Sequence, residues 1–106
     1  NDKTYVEPDI SVICDPNKVN DKGCSGAPDW IIEIVSPSSK PMDYYTKLSL
    51  YRDAGVREYW IVDPLRQIIL VYDMEHGDSP VIHSFNDSIP VRIYPGFSID
   101  FSQLKL

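Results

Sequence analysis

The sequence predicts an α/β fold in which a mixed β-sheet carries one well-defined helix. Two short segments, 29–36 and 57–63, are apolar and rich in Ile and Val, as in strands that are covered on both faces. Between them, residues 42–55 have apolar side chains at helical spacing, and Gly55 marks the end of the helix. A strand, a helix and a strand in this order are typical of a right-handed crossover between parallel strands.

The remaining elements are predicted in chain order from local composition. Residues 4–15 alternate in polarity and predict a strand, and Pro8 within it favours a sheet edge or a bulge. Residues 16–28 are rich in Asn, Asp, Gly, Pro and Ser, which predicts a mobile loop. Short strands joined in hairpins or a meander are predicted at 67–73, 80–86 and 88–94.

Length and composition predict a single domain with one modest core. The 106 residues are 42% hydrophobic and 25% charged, and no run approaches the roughly 18 apolar residues of a membrane span. No signal peptide is visible, so we expect a cytoplasmic protein without a membrane partner. The chain lacks an initiator Met and begins almost directly with strand-like sequence, so we expect the C-terminal part of a longer chain.

Charge and cysteine content narrow the function classes. The net charge of -6 argues against a simple DNA-binding module, because phosphate contacts need clustered Lys and Arg. It argues less against a nuclease, where metal ions offset the carboxylates of the site. Cys14 and Cys24 are ten residues apart and form no metal motif, so we expect reduced structural thiols, although a disulfide is geometrically possible.

Three charged residues occupy positions where packing alone would favour apolar side chains. Glu33 shares a strand face with Ile31 and Val35, by the period of two. Asp9 is a second carboxylate in a predicted strand interior. Lys47 falls on the helix stripe that should face the sheet, which also contains Tyr44, Leu48 and Tyr51.

Two carboxylates and a lysine suit a divalent-metal site for phosphodiester hydrolysis. Carboxylate oxygens hold Mg²⁺, which polarises a phosphoryl oxygen and lowers the pKa of a bound water. The lysine positions that water or stabilises developing charge. Structural alternatives stay open: Lys47 with Asp43 as a surface ion pair, Asp9 as a cap or turn, and Glu33 in a structural ion pair with Lys47 or an arginine. His76 and His83 share no metal-ligand spacing.

Three blocks of the sequence carry a family resemblance over roughly residues 5–73: "VEPDISVICD", "GAPDWIIEIVSPSS" and "DYYTKLSLYRDAGVREYWIVDP". In order and spacing they resemble the Uma-type restriction endonuclease family, a domain of unknown function within the PD-(D/E)XK nuclease superfamily. The tail "YPGFSIDFSQL" is similar to the family's closing strands. The resemblance implies a restriction-endonuclease-like core that here lacks its N-terminal helix and first strand.

The resemblance also implies residue roles. Asp9 matches the aspartate of the "PD" motif, and Glu33 matches the acidic residue of the second motif, so both would be metal ligands. The superfamily's lysine position is here Val35, and Lys47 stands where the Uma-type group carries the displaced lysine. Asp29, in the second "PD", resembles a residue at a loop-to-strand junction and is a weaker candidate. Glu58 matches a family motif residue without an assigned role, and both are auxiliary candidates.

The leading hypothesis is therefore a DNA endonuclease that depends on Mg²⁺ or Mn²⁺, with Asp9, Glu33 and Lys47 as the catalytic residues. By analogy with the superfamily, a homodimer is a candidate assembly. The alternatives are a non-catalytic regulatory or interaction module that keeps the nuclease fold, and a purely structural mixed-sheet domain in which Lys47 points to solvent.

Overall fold

The computed structural model describes residues 9–14, 16–21, 23–35, 41–77 and 79–103, with side chains from Ile13 in the first range and from Thr46 in the helix. Within these residues, five strands form a mixed sheet in the order β1-β4-β5-β6-β7. The strands are β1 (Asp9–Ile13), β4 (Trp30–Ile34), β5 (Glu58–Asp63), β6 (Ile68–Asp73) and β7 (Val81–Ser84). Helix α1 (Pro41–Ala54) connects β4 to β5.

The predicted crossover is confirmed, because β4 and β5 are parallel and the other neighbouring pairs in this sheet are antiparallel. This is the mixed α/β sheet with one helix that the sequence predicts. β1 lies at one edge of the sheet described by the structure, while Pro8, on which the edge prediction depended, falls outside the described residues.

Segment 16–28 differs from the predicted loop. It contains a short 3-10 helix at Pro16–Lys18 and a hairpin of β2 (Val19–Asn20) and β3 (Gly23–Cys24). Cys24 returns to the end of β1 and forms a disulfide with Cys14, with 6.0 Å between the Cα atoms. The expectation of reduced thiols was therefore wrong. The hairpin brings Cys24 back to Cys14, and this proximity could not be predicted from the composition of the segment.

The predicted strand at 88–94 is shorter than expected. It comprises β8 (Ser88–Pro90), which pairs with β9 (Ser98–Asp100) in a separate two-stranded sheet. A 3-10 helix at Phe101–Gln103 follows. These elements lie in the tail segment that the resemblance relates to the family's closing strands.

Two cores lie on opposite faces of the sheet. The helix-side core contains Ile31, Val35, Val56, Tyr59 and Ile61, with Leu48 and Tyr51 of α1 packed against it. The opposite core is built around Trp30, Trp60, Val62 and Ile69 and is closed by Ile89 and Phe101 from the tail elements. The alternation predicted for the β4 strand is thus confirmed.

In the part of the chain that the structure describes, no helix combines the length and the apolar character needed to cross a membrane.

Candidate functional site

Glu33 lies in β4, on the helix-side face of the sheet, and its side chain is fully buried. Its neighbours on that face, Ile31 and Val35, are apolar and buried as well. A carboxylate at such a position is costly unless hydrogen bonds and an opposite charge compensate for its lost hydration. The position of Glu33 therefore requires specific partners.

Both oxygens of Glu33 accept a hydrogen bond from a side chain. The Lys47 Nζ donates to Oε2 at 2.6 Å, and the Tyr59 hydroxyl donates to Oε1 at 2.7 Å. These lengths are typical of hydrogen bonds to an ionised acceptor. One donor is cationic and comes from the helix, whereas the other is neutral and comes from the neighbouring strand β5.

Helix packing brings Lys47 to this position. Leu48 and Tyr51 of the same helix stripe pack against the helix-side core, so the stripe faces the sheet as predicted. The side chain of Tyr44 lies outside the part that the structure describes. Lys47 itself is 29% exposed, so its ammonium group lies at the boundary between the core and solvent.

Val35, to which the resemblance assigns the superfamily's usual lysine position, is a core residue. It is buried on the helix side, and its backbone N–H donates to the Val62 carbonyl. The charge that pairs with Glu33 therefore comes from the helix and not from the strand.

Asp9 is placed by its backbone alone. It is the first residue of β1 and pairs with Ile34, while the next residue, Ile10, pairs with Glu33. The strand end that carries Asp9 is thus beside the part of β4 that carries Glu33. By the register, however, Ile10 shares the sheet face of Glu33, and the position of Asp9 belongs to the face of Ile34. The side chain of Asp9 lies outside the described residues, as does that of Asp43, so the metal ligation by Asp9 and the Asp43 to Lys47 ion pair stay predictions.

Glu58 belongs to a different environment from Glu33. It pairs with Trp30 in the sheet register and lies on the opposite face, fully buried. Its carboxylate accepts hydrogen bonds from the Trp60 Nε1 at 2.6 Å and from the backbone N–H groups of Arg92 and Ile93 at 3.3 and 3.1 Å. These contacts connect the segment after β8 to β5 and leave Glu58 separated from Lys47 by the sheet.

Asp29 lies at the start of β4, roughly 13 Å along the strand from Glu33 at the usual rise per residue. Its buried carboxylate lies 3.1 Å from the Lys18 Nζ and 3.9 Å from an Arg57 guanidinium nitrogen. Asp29 and its two cations therefore stabilise the start of the strand, away from the Glu33 carboxylate.

Two tyrosines next to Glu33 are shifted towards the neutral form. Burial raises the pKa of Tyr59, and the hydrogen bond to the negative Glu33 raises it further. Burial also raises the pKa of Tyr51, where the charge of Glu33 adds to the rise and that of Lys47 opposes it. Tyr59 is thus a hydrogen-bond donor throughout the physiological pH range.

A second group of possible metal-ligating side chains lies at the exposed end of β6. One ligand atom each of Asp73, Glu75 and His76 lie within 4.8 Å of one another. Burial acts to raise the pKa of Asp73, but hydrogen bonds from the Glu75 backbone and His76, with the charges of His76 and Arg92, lower it on balance. This group was not predicted from the sequence, because its ligand atoms come together only in the turn that follows β6.

The Glu33 carboxylate has the chemistry that a hard divalent cation requires. An ionised carboxylate offers about four lone-pair positions, and the hydrogen bonds from Lys47 and Tyr59 use two of them. Oxygen ligands of this kind suit Mg²⁺ and Mn²⁺. Lys47, which donates to this carboxylate, is partly exposed, whereas Glu33 itself is buried. The Glu33 carboxylate can therefore serve as one ligand of a divalent cation.

Comparison with solved structures supports the fold. The chain is similar to the crystal structure of a "putative nuclease belonging to DUF820" from Anabaena variabilis ATCC 29413, with a TM-score of 0.69 and 23% sequence identity. The match covers 90% of this chain and 56% of that one, so this chain spans little more than half the length of that nuclease. Among curated proteins, none matches in sequence.

Comparison with protein families gives a match over nearly the whole chain. The model of the Uma2 family, described as "Putative restriction endonuclease", matches residues 1–102. This agrees with the resemblance carried by the three sequence blocks and with the fold of the structural neighbour. The chain belongs to the Uma2 family.

Proposed function

We propose that this chain carries the catalytic residues of a metal-dependent endonuclease that hydrolyses phosphodiester bonds in DNA. The observation that carries the proposal is the 2.6 Å contact between the Lys47 Nζ and the buried Glu33 Oε2. It joins a partly exposed helix residue to a fully buried strand residue beside an otherwise apolar core. The description of the Uma2 family supports the same reaction class.

Each residue has a defined role in this proposal. In this proposal Asp9 and Glu33 hold Mg²⁺ or Mn²⁺. Asp9 begins β1 beside the end of β4 that carries Glu33, but it pairs with Ile34, so joint ligation requires its carboxylate to reach round the start of the strand. When bound, the cation polarises a phosphoryl oxygen and lowers the pKa of a water molecule. Lys47 orients the attacking water and stabilises the negative charge that develops on the phosphate. Its position at the solvent boundary allows its ammonium group to contact both Glu33 and a substrate.

Substitution of the three residues tests the proposal on the full-length protein and supercoiled plasmid DNA. Glu33→Gln, Lys47→Ala and Asp9→Ala should each lower the Mg²⁺- or Mn²⁺-dependent cleavage rate by at least about 100-fold, because each removes a ligand or a charge that acts in the transition state. Asp53→Asn, an exposed position of the same helix, is the matched control and should keep wild-type activity. Undiminished cleavage by all three variants would refute the assignment.

A non-catalytic module that keeps the nuclease fold is the second candidate. The observation that favours it is that both Glu33 oxygens already have protein donors, as in a structural ion pair. Calorimetric titration with Mn²⁺ separates the two functions. The nuclease proposal requires Mn²⁺ binding that Glu33→Gln removes, whereas the structural module predicts no binding that depends on Glu33.

A further inference from the structure

Tyr59 is the second donor to Glu33, and its placement follows from the strand register. On β5 it pairs with Ile31, two residues before Glu33 on the parallel strand β4. Residues that pair across strands share a face, so the tyrosine ring lies beside Glu33 on the helix side of the sheet. The ring spans the diagonal between the two positions and brings its hydroxyl to within 2.7 Å of Oε1.

Neighbouring rings fix the orientation of Tyr59. The Tyr51 ring meets it edge to face, with 5.0 Å between the ring centroids, and the Tyr72 ring stacks on it at 6.1 Å. The Tyr59 side chain is fully buried. Because aromatic rings in such a packed cluster have few alternative rotamers, the hydroxyl is held at a fixed point relative to the strand.

The two donors to Glu33 differ in how firmly they can hold it. Lys47 has a flexible four-carbon stem and is 29% exposed, and its proposed role requires its ammonium group to engage water and phosphate as well as Glu33. Tyr59 has no access to solvent and no contact available to a substrate. Its hydroxyl therefore remains on Oε1 when Lys47 moves.

We propose that Tyr59 is a positioning residue of the nuclease site, whose hydroxyl fixes the Glu33 carboxylate in the orientation that binds the metal ion. The inference rests on the proposed function, because Tyr59 can position a metal ligand only if Glu33 binds the metal ion. Hydrogen-bond partners that orient a metal-binding carboxylate typically contribute about 10- to 100-fold to metal affinity or activity.

The test compares Tyr59→Phe with Tyr72→Phe in the full-length protein. Both variants remove one hydroxyl from the same ring cluster, but the side chains seen to donate to Glu33 among the described residues are Lys47 and Tyr59. Binding of Mn²⁺ alone is followed by electron paramagnetic resonance, and plasmid cleavage gives kcat and KM. We expect Tyr59→Phe to bind Mn²⁺ about 10- to 100-fold more weakly, and kcat to fall with little change in KM for DNA. Tyr72→Phe should match the wild type in Mn²⁺ affinity.

The outcomes separate this inference from the proposed function. A wild-type protein that neither binds Mn²⁺ nor cuts DNA refutes both. A wild-type protein that does both, with a Tyr59→Phe variant of equal Mn²⁺ affinity and kcat, refutes the positioning role alone. Equal losses in Tyr59→Phe and Tyr72→Phe would also refute it, since they would indicate a packing effect of the ring cluster.

A measurement on the wild-type protein covers the case in which Tyr59→Phe does not fold. The Tyr59 hydroxyl is buried and hydrogen-bonded to Glu33, so we expect its proton to exchange slowly enough with water to be observed by nuclear magnetic resonance. Saturation with Mg²⁺ should shift this resonance without removing its protection, because the hydroxyl stays on Glu33 while the carboxylate binds the cation. An unchanged resonance at saturating Mg²⁺, or loss of its protection, would overturn the inference.

Discussion

Two buried glutamates on opposite faces of the sheet show how different donors stabilise the same charge. Glu33 is paired with the cation of Lys47 and with a tyrosine hydroxyl. Glu58 accepts hydrogen bonds from neutral donors: one indole N–H and two backbone N–H groups. Several such donors can stabilise a carboxylate without a cation. Glu58 is therefore explained by its structural contacts, and Glu33 is the one that contacts a partly exposed lysine.

Replacing Glu58 by Gln should destabilise the fold. The glutamine side chain has an NH₂ group in place of one carboxylate oxygen. This group cannot accept a hydrogen bond, so at least one of the buried N–H groups that donate to Glu58 loses its acceptor. A cost of about 2 kcal/mol in the free energy of unfolding follows. Urea denaturation of Glu58→Gln and of Glu75→Gln, a surface glutamate paired with Arg57, makes the comparison. The Glu75 variant should lose less than about 1 kcal/mol. Equal losses would contradict the anchoring role of Glu58.

Sequence patterns predicted the pair of Glu33 and Lys47 but not the role of Tyr59. Strand alternation and helical spacing each place one charged residue on an apolar face, and both signals are local. Tyr59 is a core residue by composition, and its hydrogen bond depends on which residue of β4 it faces. That register is set by long-range packing, so only the pairing of Ile31 with Tyr59 reveals the contact.

Among the elements, α1 determines the geometry of the site because it delivers Lys47 to the sheet. Its C-terminus is closed by two backbone hydrogen bonds, from Gly55 to the Arg52 carbonyl and from Val56 to the Tyr51 carbonyl. This pattern is a Schellman motif, which requires a residue with positive φ, and Gly55 has a φ of 99°. Val56 and Tyr51 also share the helix-side core, so the helix end and the site are packed together.

Substitution of Gly55 by Ala tests this helix end. A side chain at positive φ costs roughly 1 to 2 kcal/mol, so Gly55→Ala should lower the free energy of unfolding by about that amount. Gly77→Ala is the matched control, because no positive φ is recorded there and an added Cβ has no atom within 4 Å. Thermal and urea unfolding compare the two variants. A Gly55→Ala protein as stable as wild type would show that the motif does not determine the helix end.

Long and regular elements were predicted from the sequence, whereas the shortest elements were not. The strands β4 and β5 and the helix between them carry several turns or repeats of one pattern, and all three were predicted. The hairpin of β2 and β3 has two residues in each strand, too few for any period. β8 and β9 are separated by a turn, and their pairing depends on packing against the core around Trp60, on the sheet face opposite to the helix. Local composition cannot specify such pairings.

The disulfide between Cys14 and Cys24 contributes to stability through this hairpin. Closing a loop of this length removes chain entropy from the unfolded state, which corresponds to about 2 to 3 kcal/mol. Reduction, or the double variant Cys14→Ala with Cys24→Ala, should lower the free energy of unfolding by that amount in urea titrations. Thiol quantification of the purified, denatured protein provides the control, and two free thiols would show that the bridge is absent.

At the scale of the whole molecule, net charge opposes the proposed substrate. The chain has 16 acidic residues against 10 Lys and Arg, and DNA binding normally depends on cationic contacts with phosphates. At the proposed site Lys47 only offsets the charge of Glu33, so this pair offers no excess positive charge to a phosphate. A bound divalent cation would make the local charge more positive, so the cation should govern DNA binding as well as cleavage.

DNA binding by the full-length protein should therefore depend on a divalent cation. We expect fluorescence anisotropy with a labelled duplex to give a dissociation constant at least about 10-fold lower in Ca²⁺, which takes the same oxygen ligands as Mg²⁺, than in EDTA. Glu33→Ala should remove most of the difference, because the cation then loses a ligand. Equal affinity in EDTA and Ca²⁺, falling steeply with salt, would instead indicate a cationic surface that binds phosphates directly and independently of the metal site.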